Sequence, residues 1–535
     1  MRFHGFAVLT DLALCADRIR IPVWALSIAV LSAVTASSYS TLFPDAASRG
    51  VRADMIASPA ATALAGPGYG LDNYTLGAMV ANEIGAMVMV AVAVMSVLLT
   101  TRHLRGEEES GRSELVMSNV VGRLAPIAAG IAVSVIANLF VALLLVIGLL
   151  IVGLPAAGGL VLAASVFVVG LVFTGTAALL CQFTEHARTA VGMGLGAVAV
   201  AYLLRALGDV QALESGSVLT WLSPIGWSQA TAAWVDNRWW PLLLGVVSFV
   251  VLVVASYLGV RKRDLGAGLL PPRRGPAEAG PRLYSVAALA LREQRGLLLS
   301  WGLGTLALAI PIGALGRQIT SFLEQDSTPI ANETLTAIMP GGIESATDGA
   351  FALYMVFLAV LAAMYAAAGM SVIRTEEEAG RAAQVLSGPT ARVRWLGEHL
   401  AVIAAGAVAI TLVSGAGMGV MAAATLSDVG AFFSLLGAAA NSVPAVLVVV
   451  GICAVTYGWA PHEFAGVWAY LGCVLVIGML GEVLPHWFTL ISPFHYTPTL
   501  PAESFNIVPL IALLFVSAAL CAVGLLGFQR RDLKN

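Results

Sequence analysis

RGEEESGR at residues 105–112 returns as RTEEEAGR at 374–381, 269 residues later. At the same offset Ser118 matches Ser387, Arg123 matches Arg392, and LSP at 222–224 matches ISP at 491–493. Arg263-Asp264-Leu265 returns as Arg531-Asp532-Leu533 at an offset of 268. Near the start of each copy, Arg18 and Trp24 match Arg295 and Trp301 at an offset of 277. The difference between these offsets places a longer loop after the first helix of the first copy. The chain therefore reads as two copies of one unit, and the question becomes what that unit is.

Composition answers it. Apolar residues make up 59% of the chain and charged residues 11%, against about 45–50% and about 25% in soluble domains. Mean hydropathy is +0.89. With so few polar groups, the apolar surface must be buried in lipid. A span needs roughly 20 mainly apolar residues. Six candidates fall in the first copy, at 22–42, 75–100, 125–154, 157–182, 189–207 and 239–260. Six follow in the second, at 297–316, 349–372, 397–425, 430–457, 464–484 and 507–527. The expected fold is all-α and polytopic, with about twelve transmembrane helices in two six-helix halves. Residues 1–260 form the first half, 261–282 a Pro-, Gly- and Arg-rich linker, and 283–535 the second half. An even number of spans per half gives both the same orientation, a parallel repeat.

Charge placement orients the chain. With the N-terminus inside, the inner segments hold 23 of the 28 Arg and Lys residues. The outer segments hold Arg49, Arg52, Arg205, Arg238 and Arg317. The positive-inside rule thus puts both termini in the cytoplasm. Only Lys262 and Lys534 are lysines, a bias that suggests a GC-rich bacterial genome. No cleavable leader is read at the N-terminus. None of Cys15, Cys181, Cys453, Cys473 and Cys521 falls in a segment read as extracellular, and none forms a CxxC pair, so neither a disulfide nor a zinc site is expected.

The repeated boxes lie on the inner side between the second and third helix of each half. They hold Glu107, Glu108, Glu109, Gly111 and Arg112, then Glu376, Glu377, Glu378, Gly380 and Arg381. One such run is as readily a solvated loop. Two in equivalent loops favour a docking element: a short charged helix whose carboxylates meet basic groups on a partner and set specificity. An amphipathic stretch precedes each half, in FAVLTDLALCADRIRIP and LYSVAALALREQRG, and reads as an interfacial helix or as an extension of the next span. Aromatic Ser-Pro segments at 219–240 and 486–505 read as an interfacial belt, or as short helices closing an outer exit.

Ionisable groups inside spans are costly and are candidate functional residues. Glu83, beside Asn82, lies in the second helix, Arg205 near the outer end of the fifth and Glu482 near that of the eleventh. These four are the candidate substrate pathway. Glu83 has no acidic counterpart, since residue 352 is Ala352; Arg205 is its alternative, purely structural, partner. No GxxxxGK[ST] occurs, so the chain has no nucleotide cradle of that kind. LSGPT at 386–390 resembles the start of an ABC signature but lacks its second glycine and belongs to the repeated loop, and His462-Glu463 is not part of HExxH. No carboxylate pair, metal set or nucleophile supports a membrane enzyme, and no nucleic-acid partner is expected.

Taken together, EEESGR, EEEAGRAAQVLSGPTARVRW, AYLLRALGDV, WLSPIGW, NRWWPLLL, LISPF and GFQRRDL resemble the permeases of ABC type-two exporters, in the actinobacterial polyketide-antibiotic (tetronasin-like) subgroup. The resemblance covers essentially the whole chain. It implies a fused pseudo-dimer in a bacterial plasma membrane, with two copies of a separate ATPase that carries ATP and Mg docked beneath it. This chain would hold no cofactor. The boxes would be coupling helices, and the cargo hydrophobic or amphiphilic antibiotics and drugs. The first box runs on as SELVMSNVVGRLAP rather than LSGPTARVRW, so the halves would contact the ATPases unequally. A proton-coupled secondary transporter working through Glu83 is the alternative.

Overall fold

The computed structural model describes residues 3–57, 59–212, 216–270, 280, 283, 285–314, 346–480 and 486–532. Among them are twelve helices long and apolar enough to cross a membrane, and no strand. The chain is a polytopic all-α membrane protein. Spans 1 to 6 are Arg20–Leu42, Leu76–Glu109, Ala125–Ile151, Ala156–Phe183, Ala187–Gln211 and Pro241–Lys262. Spans 7 to 12 are Val286–Ala314, Thr347–Glu378, Arg392–Leu426, Val429–Trp459, Pro461–Gly478 and Ile507–Arg530.

The chain divides into two compact units, Met1–Gly275 and Pro276–Asn535, with six spans each. In the first unit spans 2 and 4 are 67% and 72% buried, and they pack on each other at its centre. Spans 8 and 10 hold the same place, with the same values, in the second unit. Apolar packing against lipid-like side chains gives little direction, so small and polar residues set the registers. Ser96 bonds Asn138 and Thr100 bonds Ser134 across spans 2 and 3. Gly77 and Gly158 leave room for the Trp234 ring, which any Cβ there would strike.

The two amphipathic stretches fold differently. The first is a separate helix, Phe6–Ala16, lying against span 3. The second is continuous with span 7, which runs unbroken from Val286, so no distinct connecting helix stands before it. Pro22 explains the contrast. Proline suits the first turn of a helix and is costly further inside it, and the equivalent residue of the second unit is Leu299. The Ser-Pro segments form short helices, Val218–Trp221 and Pro224–Gln229 in the first unit, His486–Thr489 and Pro493–Tyr496 in the second.

Candidate functional site

The carboxylates of the two boxes do not form a separate helix. They are the last turn of spans 2 and 8. Glycine then reverses the chain, Gly111 at φ 73° and Gly380 at φ 74°, in the left-handed region that costs glycine least. The short helices are the next segments, Arg112–Met117 and Arg381–Leu386.

Three carboxylates at a helix C-terminus oppose the helix dipole, and each acquires a side-chain partner. Glu107 faces Arg112 at 3.4 Å, and Glu376 faces Arg381 at 2.6 Å. Glu109 meets the His186 ring at 3.3 Å and accepts from the Ala187 backbone N–H at 2.9 Å, while Glu378 meets Arg374 at 2.8 Å. The central carboxylates turn inward. Glu108 accepts two bonds from Arg263, at 2.6 and 2.8 Å, and one from Arg105 at 2.7 Å. Glu377 accepts from Arg531 at 2.6 Å and from the Tyr457 hydroxyl at 2.5 Å.

Arg263 and Arg531 stand just past the ends of spans 6 and 12. Their own backbone carbonyls accept from Arg123 at 2.8 Å and from Arg392 at 2.7 Å. Each unit thus ties the loop after its second span to the end of its sixth, with the same residue types. We call this arrangement the clasp. The repeated Arg-Asp-Leu in the sequence pointed to Arg263 and Arg531, but not to their role.

The clasps differ in detail. Glu377 Oε1 and Arg531 Nε are buried and have no hydrogen-bond partner, and the Arg531 guanidinium lies over the Tyr457 and Phe528 rings at 4.9 and 5.1 Å. Arg105 has its positional counterpart in Arg374, which serves Glu378 instead. A further buried junction went unread in the sequence: Asp17, fully buried, receives Arg20, Arg102 and His103 where the first helix meets span 1.

Three of the remaining candidates, Asn82, Glu83 and Arg205, lie at the opposite end of the first unit. Glu83 pairs with Arg52 at 2.7 Å and accepts from the Tyr39 and Tyr74 hydroxyls. The suggested Glu83–Arg205 pair is therefore incorrect. Burial works against the Arg52 charge, but the hydrogen bond and charge of Glu83 outweigh it and raise its pKa. Arg205, fully buried, reaches Asp209 at 3.4 Å and donates to the carbonyls of Thr62, Ala63 and Leu64. Those carbonyls end the short helix Pro59–Ala65, where a cation is favoured. Asn82 holds Tyr69 through both of its backbone polar groups. Glu83, Asn82 and Arg205 thus all fasten the long loop after span 1. Glu482 lies outside the described residues.

Glu83→Gln is expected to lower stability by about 1–3 kcal/mol, since it strips a half-buried guanidinium of its carboxylate. Arg52→Gln in the same background should recover part of the loss. Thermal unfolding in detergent checks this, beside efflux of cationic and neutral cargo, which should fall together. Unchanged stability with selective loss of cationic cargo would place Glu83 on the pathway instead.

Residues 283–529 match the family described as "Multidrug efflux system permease Rv1217c, C-terminal domain". Over 537 residues the chain is 34% identical to the "Multidrug efflux system permease protein Rv1217c" of Mycobacterium tuberculosis (strain ATCC 25618 / H37Rv). The alignment covers 99% of this chain and 96% of that protein.

Proposed function

Because this chain belongs to the family of multidrug efflux system permeases that includes Rv1217c, we propose that it is the membrane half of an ATP-driven exporter whose ATPase is a separate polypeptide. The chain is an efflux permease and a transport subunit. The finer reading is ours: ABC type, two ATPase copies carrying ATP and Mg, and hydrophobic or amphiphilic cargo of the polyketide-antibiotic kind. By the positive-inside rule the clasps face the cytoplasm.

The observation that carries the proposal is the pair of matching clasps. A loop that must transmit a push has to be tied to the helices it moves, and each clasp ties its loop to the far end of its own unit. Beyond the clasp the two loops share a shape but differ in chemistry. Leu115 and Val120 are 72% and 82% exposed. Gln384 and Pro389 are also exposed at the equivalent positions. The first loop would dock through an apolar knob and the second, lacking it, through polar contacts around the exposed Arg381.

The test is reconstitution with the ATPase subunit. The pure chain should hydrolyse no ATP. Leu115→Asp should weaken association about tenfold or more at any salt, by losing the burial of one leucine. Arg381→Glu should weaken it at low salt and lose its effect as salt rises. ATP hydrolysis by the chain alone, or transport driven by a pH gradient without the ATPase, would overturn the proposal.

A further inference from the structure

A cavity of about 380 Å³ opens beside the clasp of the first unit. Its walls come from the last turns of spans 2, 4 and 6 and the start of span 3. Its apolar lining includes Leu104, Met117, Ile127, Val260 and Leu265. Its polar lining includes His103, Glu108, Arg123, Arg263 and Asp264.

The charges are not equally engaged. His103 is held by Asp17, and Glu108 is shared between Arg105 and Arg263. Arg123 donates only to the carbonyls of Val260 and Arg263, and among the described residues no carboxylate pairs with it. Asp264 is the one opposing carboxylate on the wall that no cation pairs with among the described residues. Arg261 and Lys262, exposed just before it, outweigh it. The cavity therefore presents a guanidinium with donors to spare, beside apolar lining, at the boundary of the spans.

We propose that this cavity binds the phosphate head of an anionic phospholipid. A guanidinium fork suits phosphate oxygens, and basic pockets between helices at this level bind anionic lipid heads. The volume holds a head and the start of a chain, well beyond a bare phosphate. Val254 and Leu258, each 51% exposed, leave apolar surface on the outer face of the same span 6. The inference is independent of the ATPase, because it concerns only the first unit and the bilayer around it.

The experiment is lipid retention by the delipidated full chain in detergent, read by native mass spectrometry. The probes are phosphatidylglycerol, phosphatidylcholine of the same chains, and inorganic phosphate. The wild-type chain should retain phosphatidylglycerol about fivefold better than phosphatidylcholine, the ratio that about 1 kcal/mol for one arginine gives. Arg123→Gln should abolish that preference. Met117→Trp and Ile127→Trp, which fill the cavity without changing a charge, should lower retention of both lipids. Elution and thermal unfolding of each variant identify any that fails to fold, and the other filling variant then carries the test. Equal retention of the two lipids by the wild-type chain overturns the proposal. So does a preference that survives both Arg123→Gln and a folded filling variant. If inorganic phosphate protects the chain as well as phosphatidylglycerol does, the occupant is a free anion and the lipid assignment falls.

Discussion

Glu108→Gln is expected to destabilise the first unit by about 3–5 kcal/mol, the usual cost of removing one partner of a buried ion pair. Among the described residues Glu108 is the one acid in ion-pair contact with both Arg105, which is fully buried, and Arg263, whose side chain is 5% exposed. The amide can accept a bond but cannot offset either charge. Glu377→Gln should cost less, about 1–3 kcal/mol, because Arg531 keeps the faces of Tyr457 and Phe528 and is somewhat more open to water. The ranking is as informative as the magnitudes, and thermal unfolding of the two variants measures both. Exchanging the charges, with Glu377→Arg and Arg531→Glu together, should restore part of the second loss. The functional signature is separate. If the clasp transmits rather than docks, the ATPase should still bind each variant while nucleotide-driven efflux falls. Loss of ATPase binding without loss of stability would make these carboxylates contact residues instead. A change under about 0.5 kcal/mol for Glu108→Gln would remove the clasp as a structural element.

Arg205→Met is expected to have an effect of the same size at the opposite end. It leaves Asp209 buried with Thr220 as its remaining side-chain donor, at 2.7 Å. It also removes the guanidinium that three carbonyls at the end of Pro59–Ala65 accept from. We expect a loss of about 3–5 kcal/mol. Asp209→Asn in the same background should recover some of it, because the unpaired charge is then gone. The second signature is local. Tyr202 and Gln229 still bond Leu64 and Ala65, but the segment has lost its cation, so limited proteolysis should cut within residues 59–66 first. Equal protease resistance in wild type and variant would show that Arg205 does not hold this loop. The equivalent position of the second unit is Val474, an apolar and buried residue, so no matching variant exists there.

Glu83 shows most clearly where the sequence stops being informative. Hydropathy located it within a span, and the cost of a carboxylate there required a partner. Of the five cations outside the inner segments, only Arg205 was read as a partner; it lies in a span, whereas Arg52 lies in a loop. The span residue was the natural choice, but the loop folds back and delivers Arg52. Asp209 was the missing half of the Arg205 pair. It lies four residues on, one helical turn away, so that spacing could have found it.

The sequence by itself determined the twelve spans, the repeat and the location of the two boxes. Each of these is a local or periodic property. Lipid demands about twenty apolar residues in a row wherever they occur, and a duplicated unit repeats its letters at a constant offset. Tertiary structure alone decided what the charged residues do. Glu108 meets Arg263 across 155 residues and Glu377 meets Arg531 across 154. Such pairs depend on which helices pack side by side and at what height, which is set by small side chains, interhelical hydrogen bonds and a single proline. Lipid is indifferent to these details, so hydropathy carries no trace of them.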